Sequence, residues 1–167
     1  MRKVSLIVFT GVLCLLWLAP AAGAMDYNYW IPLLPDSIDG MNKTGEPEGM
    51  NKGSDDDAWS LLKQKYSDGD KRITFAMVSG EEAPFFLQFR KGRKFPYESA
   101  SKIIRALYVS DYKALYIKKD QTDNSRLALR IDDTLVSLEA SPPRSEEDMI
   151  EMIKNDVPLK KIKEQFE

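Results

Sequence analysis

Tight turns between runs of alternating apolar and polar residues constrain the fold of this chain more than any other feature. Residues 59–67 are joined to residues 71–79 by Asp68-Gly69-Asp70. An Asp-Gly pair in this position favours a β-hairpin, because glycine adopts the positive φ that a tight turn requires. In the second run every other residue is apolar, which is the period of a half-buried strand. The apolar positions are Ile73, Phe75 and Met77.

Four more runs with strand character form two pairs around short polar turns. Residues 126–131 alternate strictly, with leucine or isoleucine on one face and Arg126, Ala128 and Arg130 on the other. Such two-sided strands are typical of an antiparallel sheet with one face in contact with water. The paired runs are 103–109 with 113–118, and 126–131 with 134–140.

The last part of the chain predicts two helices. Ser145 is a suitable N-cap, and the three acidic residues that follow it are favoured by the positive end of the helix dipole. Val157-Pro158 ends this helix and begins another with its own apolar stripe. Together with the strands, these helices predict an α+β fold: an antiparallel β-sheet meander with helices packed on one face.

The first 24 residues have the features of a signal peptide. Two cations precede an apolar run at residues 4–18, and Ala22 and Ala24 stand in the small-residue positions of a cleavage site. The apolar run is shorter than the roughly 20 residues that a membrane-spanning helix needs. We therefore expect cleavage after Ala24 and export, which makes the protein periplasmic or extracellular.

The remaining residues, 25–167, have the length of a single domain. Residues 25–57 begin with an apolar, aromatic segment and continue with closely spaced glycines, prolines and acids. This composition predicts an N-terminal strand followed by a Gly-rich loop. Residues 58–167 contain the alternating runs and the helices, which predicts an α+β core with C-terminal helices.

Histidine is absent from the chain, and the single cysteine, Cys14, lies in the segment expected to be removed. These two residue types are the usual general bases near neutral pH, thiolate nucleophiles and soft metal ligands. We therefore expect no enzyme activity, no catalytic residue and no cofactor. The formal net charge of −2 and the export segment also argue against a nucleic-acid partner.

Acidic residues suggest two other kinds of chemistry. Asp55-Asp56-Asp57 supplies oxygen ligands of the kind that Ca²⁺ requires, but its spacing does not match an EF-hand loop. Adjacent acids in a Gly-rich loop are usually solvated, so we expect no metal site. Glu81-Glu82 and Asp132-Asp133 are candidates for a carboxylate-based hydrolase, although adjacent side chains on a strand or turn point apart.

The most suggestive stretch is residues 85–95, in which four phenylalanines stand beside four cations. Three of the phenylalanines have helical spacing. They follow Pro84, and proline suits the first turn of a helix. Aromatic residues beside cations are typical of elements that contact an anionic membrane surface. The favoured interpretation is a core-facing helix followed by a solvated basic loop, since the phenylalanines are also needed to fill a small core. The cations of this surface or membrane contact are Arg90, Lys91, Arg93 and Lys94.

Turn and packing motifs stand in a characteristic order along residues 34–163. They are Leu34-Pro35-Asp36-Ser37-Ile38-Asp39-Gly40, Tyr66-Ser67-Asp68-Gly69-Asp70-Lys71 leading into Ile73-Thr74, Ala83-Pro84, and the closing run from Leu135 through Asp156 to Leu159-Lys160-Lys161-Ile162. This order resembles a functionally uncharacterised set of small exported bacterial proteins, and it is more distantly similar to the Mog1/PsbP-like sandwich. The resemblance implies a fold and no catalytic residue.

Three functions are compatible with these features. The leading hypothesis is an exported, non-enzymatic module of the cell envelope that binds a partner protein or an envelope surface. The second is a carrier of a small apolar or amphiphilic ligand held between sheet and helices, lined by Trp59, Phe75 and Tyr108. The third is the carboxylate-based hydrolase. An enclosed apolar cavity favours the carrier, a filled core with one exposed apolar patch favours the interaction module, and two facing carboxylates in a cleft favour the hydrolase.

Overall fold

The structure is a computed structural model that describes residues 25–53, 57–119 and 123–166. Within these ranges nine strands form one sheet, and every neighbouring pair is antiparallel. The predicted signal peptide lies outside the described residues. The strands are β1 (Ser37–Ile38), β2 (Met41–Lys52), β3 (Trp59–Asp68), β4 (Lys71–Ser79), β5 (Tyr97–Ser99), β6 (Lys102–Val109), β7 (Tyr112–Lys119), β8 (Asn124–Ile131) and β9 (Thr134–Ser141).

The sheet consists of two meanders joined side by side, in the order β1-β2-β3-β4-β9-β8-β7-β6-β5. The predicted hairpin is confirmed: β3 pairs with β4 and Gly69 has φ +58. After β4, helix α1 (Pro84–Lys94) carries the chain to the far edge, and strands β5 to β9 return to the centre. The predicted strand pairs β6–β7 and β8–β9 are also confirmed. The fold is therefore α+β with an antiparallel sheet.

The first face of the sheet holds the larger core. Helices α2 (Glu146–Asn155) and α3 (Leu159–Lys163) and a 3-10 helix (Tyr27–Leu33) pack against it. The predicted cap at Ser145 is confirmed, because its hydroxyl accepts a hydrogen bond from the Asp148 N–H at 3.1 Å. The largest side chains that this face buries completely, at most 2% exposed, include Trp30, Tyr66, Phe75, Leu127 and Leu138.

Helix α1 lies on the opposite face, so the helices occupy both faces of the sheet and not one. Phe86 and Phe89 of α1 pack with Leu61, Val78 and Leu135 in a second, smaller core cluster. These sheet residues alternate with those of the first core, and the second face therefore has its own apolar positions. The expectation of a single helical layer was wrong, because the phenylalanines of α1 need an apolar surface that the first face does not leave open.

Residues 25–57 also differ from the prediction. The apolar segment forms the 3-10 helix, and β2 occupies most of the expected Gly-rich loop. Glycines fit this strand for two reasons. Gly45 adopts φ +69 where the pairing with β3 shifts register, and the ring of Tyr27 lies directly against Gly49, where a Cβ atom would not fit. The composition of a bulged, exposed edge strand therefore resembles that of a loop.

Candidate functional site

An open groove with a volume of about 400 Å³ crosses the second face of the sheet beside α1. Helix α1 covers only part of this face, and the groove lies over the uncovered part of the central strands. Its lining comes from β2, β3, β4, β7, β8, β9 and α1. The lining residues are Glu48, Lys63, Lys65, Thr74, Ala76, Val78, Phe85, Gln88, Phe89, Leu115, Ile117, Arg126, Ala128, Leu135, Ser137 and Glu139.

Small side chains form the floor of the groove. Ala76 on β4 is opposite Ser137 on β9, and Ser137 is opposite Ala128 on β8. Because opposite residues of antiparallel strands share a face, the three side chains form one row across the sheet. The rows on either side of them contain larger residues. A depression therefore runs across the strands along this row.

The wall nearest α1 is apolar. Phe85 and Phe89 project from the helix, and Val78 and Leu135 continue the wall along the sheet. Phe85 is half-buried, whereas Phe89 is only 4% exposed. Apolar and aromatic groups of this kind bind ligands by removing apolar surface from water, at about 25 cal/mol per Å² buried. This side of the groove is suited to a hydrocarbon or aromatic group.

The opposite wall is charged. The Arg126 guanidinium donates to the Glu139 carboxylate on the neighbouring strand, with an Nε to Oε2 distance of 2.9 Å. Asn124 also donates to Glu139, at 2.8 Å. Across the groove mouth, the Lys65 ammonium forms an ion pair with Glu48 and lowers the pKa of that carboxyl group. The Lys65 ammonium therefore favours the ionised form of the Glu48 carboxyl group.

Lys63 differs from these paired cations. It lies opposite Glu48 on β2 and opposite Ala76 on β4, and its side chain is half-buried at the edge of the floor. Its charge contributes to the lowered pKa of Glu48. In the described part of the chain, however, its ammonium group makes no hydrogen bond or ion pair. Lys63 is therefore positioned to interact with a ligand.

The three residues predicted to line a carrier cavity do not lie together, and that prediction was wrong. Phe75 is completely buried in the core of the first face. Trp59 is half-buried on the second face, at the other end of β3 from Lys65. Tyr108 is 62% exposed on β6, where the Arg93 guanidinium lies 5.3 Å from its ring centre. None of the three lines the groove.

The four cations predicted at a surface contact have two different environments. All four belong to α1, which extends to Lys94, so this part of the chain is helix and not a basic loop. Arg93 donates to the carbonyl oxygens of Leu107, at 2.8 Å, and Ala114, and so ties α1 to the sheet. Arg90 forms an ion pair with Glu81 at 3.4 Å. Lys91 and Lys94 are exposed.

One carboxylate from each acidic pair proposed for hydrolysis, Glu81 and Asp133, lies beside the same cation. The Arg130 guanidinium donates to Glu81 and lies 3.4 Å from the Asp133 carboxylate. Arg130 also lies over the ring of Phe86, 5.7 Å from its centre. This cluster therefore holds the start of α1 against the β8–β9 turn, which is a structural role.

Within residues 25–53, 57–119 and 123–166, no three acidic side chains are placed to share a metal ion. Asp55 and Asp56 lie outside these ranges.

A second depression of about 300 Å³ is lined by Asp39, Asp148 and Asp156 together with Arg144, which donates to Asp39 at 2.8 Å. The Asp39 N–H also donates to the carboxylate of Asp156 at 2.8 Å, so the turn between β1 and β2 is held by residues on either side of α2.

Comparisons with known proteins identify no relative: no protein-family model, curated protein or solved structure matches the chain. Among the described residues, none of the helices has the length and hydrophobicity required to span a membrane.

Proposed function

We propose that the protein is an exported, non-enzymatic binding module of the cell envelope whose binding site is the groove beside α1. One observation carries the proposal: an open groove of about 400 Å³ has an aromatic wall along one side and charged groups along the other. Small-molecule sites have volumes of roughly 300–1,000 Å³ and combine an apolar lining with a few placed polar groups. The groove fits this description.

The electrostatics of the groove favour binding over catalysis. A carboxylate-based hydrolase needs one carboxyl group with a raised pKa to act as the general acid. Glu48 has the opposite shift, since Lys65 lowers its pKa, and Glu139 accepts hydrogen bonds from Arg126 and Asn124. The lowered pKa keeps Glu48 ionised, and both carboxylates orient their cationic neighbours. This arrangement supports a site that recognises a ligand without transforming it.

Contact with an envelope surface is a second candidate, favoured by a different observation. Phe95, Tyr97 and Tyr108 are 55–62% exposed near the end of α1, beside the exposed cations Lys91 and Lys94. Exposed aromatic rings next to lysines suit a surface with anionic headgroups. The two proposals are compatible, because this aromatic patch lies outside the groove. The Mog1/PsbP-like layout and export through residues 1–24 remain predictions from the sequence.

Binding of N-phenyl-1-naphthylamine, a neutral apolar dye, tests the groove proposal. We expect its fluorescence to rise with the wild-type protein and the rise to be lost in Ala128→Trp, which fills the floor. Ala106→Trp is the matched control, because Ala106 is on the same sheet face but does not line the groove. Absence of dye binding by the wild type, or equal loss in both variants, would contradict the proposal.

A further inference from the structure

We propose that the ligand of the groove is a single-chain amphiphile with one acidic headgroup, a carboxylate or a phosphate, which contacts Lys63. The inference depends on the proposed binding function and adds the chemical class of the ligand. It follows from the distribution of apolar and charged groups along the groove and from the pairing of the charged ones.

The groove separates apolar and charged contacts by position. Phe85, Phe89 and Leu135 lie on the α1 side, and the charged residues lie on the side away from the helix. A ligand that fills the groove has one part against aromatic and aliphatic carbon and another part beside charged groups. Only a molecule with an apolar body and a polar end satisfies both environments, because a buried polar group without a partner is costly.

The charges of the groove favour an anionic end. Three cations and two carboxylates line it. Arg126 and Lys65 each have a carboxylate partner, Glu139 and Glu48, so their charges are largely compensated. Lys63 supplies the excess positive charge. A single acidic group therefore balances the groove, whereas a cationic headgroup adds to the excess.

The position of Lys63 lets one ligand reach both regions. Lys63 is opposite Ala76, and Ala76 is opposite Ser137 in the row of small residues that forms the floor. An acyl chain that follows this row runs below Phe85 and Phe89 and ends beside the Lys63 ammonium. Charge-assisted hydrogen bonds of this type are about twice as strong as neutral ones, so the headgroup contact adds selectivity to the apolar binding.

Displacement of N-phenyl-1-naphthylamine by four dodecyl compounds tests the inference. The competitors are dodecanoate, dodecyl phosphate, dodecanol and dodecyltrimethylammonium, used below their micelle-forming concentrations. We expect both acids to displace the dye at concentrations about tenfold lower than the alcohol, and the cation to be the weakest. The difference between the two acids identifies which headgroup the site accepts better.

The Lys63→Met variant assigns the preference to this residue. We expect it to bind the dye and dodecanol as the wild type does and to lose the preference for acids. Lys113→Met is the matched control, since Lys113 is an exposed strand lysine that does not line the groove, and it keeps the preference. If the wild type binds the dye but acid and alcohol displace it equally well, the inference about the acidic headgroup is refuted and the proposed binding function is not. An acid preference that persists in Lys63→Met also refutes it, and absence of dye binding refutes the proposed function as well.

Discussion

Replacing Gly92 by alanine tests how closely α1 packs on the sheet that forms the groove. Gly92 is buried in the last turns of α1 and faces Leu115 on β7. A Cβ atom at this position would lie 2.6 Å from one Leu115 methyl carbon and 3.1 Å from the other. The nearest methyl contact is shorter than van der Waals packing allows. Leu115 is itself only 2% exposed and lines the groove, so its side chain can give way only toward that open volume.

Two opposing effects determine the expected change in stability. Alanine is a better helix former than glycine by about 1 kcal/mol, which raises the free energy of unfolding. Adding a methyl group to a filled core costs roughly 1–3 kcal/mol. We expect the packing cost to exceed the helix gain, so that Gly92→Ala lowers the free energy of unfolding by about 1 kcal/mol.

A double-mutant cycle with Leu115→Val separates the two effects. Valine lacks both of the methyl carbons that alanine at position 92 would contact. In that background the clash is removed, and we expect Gly92→Ala to raise the free energy of unfolding by about 1 kcal/mol. The effects of Gly92→Ala in the two backgrounds then differ by a coupling energy of about 2 kcal/mol. Urea unfolding followed by circular dichroism measures all four proteins. Lys91→Ala is the control for exposed positions of the same helix, with a change within about 0.5 kcal/mol.

Stabilisation of the wild-type background by Gly92→Ala, or an equal effect in both backgrounds, would contradict this expectation. Either result means that α1 moves away from β7 without cost. The groove beside the helix would then have an adjustable width, and the volume of about 400 Å³ would not limit the size of its ligand.

Two further predictions concern elements on the first face of the sheet. The hydroxyl of Tyr66 donates to the Pro35 carbonyl oxygen at 2.7 Å, and burial raises the pKa of Tyr66. The folded state therefore keeps the phenolic proton above the unfolded pKa of 10.0, so this contribution to the free energy of unfolding is present below pH 10 and decreases above it. Chemical denaturation from pH 8 to pH 11 measures this loss, and we expect the free energy of unfolding to fall less in Tyr66→Phe than in the wild type. At pH 7 the same variant is less stable than the wild type by about 1–3 kcal/mol. Ser145→Ala removes the N-cap of α2, so we expect it to lower the free energy of unfolding by about 1 kcal/mol. Thermal unfolding measures this change. An unfolding temperature equal to that of the wild type would contradict the role of the cap.

Hairpins and capped helices are predictable from the sequence, because the residues that determine them are close together in it. Gly69 supplies the positive φ of one turn, and Ser145 and Asp148 supply both halves of a capping box. Strand β2 was missed for the opposite reason. Its pairing partner β3 stabilises a segment whose own composition favours a loop, and a register shift accommodates Gly45.

The groove was not predictable, because its floor depends on strand order and register. Ala76, Ser137 and Ala128 come from three strands and become neighbours only when β4 pairs with β9. One signal was present in the sequence: Ala128 stands between Arg126 and Arg130 on a face predicted to contact water. A small residue between two long ones on the same strand face indicates a depression, but only the paired strands show its extent.

The pairing of β4 with β9 has a consequence for how the molecule opens. Within the described residues it is the only strand pairing between the two meanders, and it joins residues as distant in sequence as Phe75 and Leu138. Loss of this pairing would divide the sheet into two cooperative units and expose two apolar strand edges, which are templates for aggregation. The groove floor crosses this boundary, from Ala76 to Ser137. A bound ligand would therefore slow amide hydrogen exchange in β4 and β9 and suppress self-association of the partly opened chain.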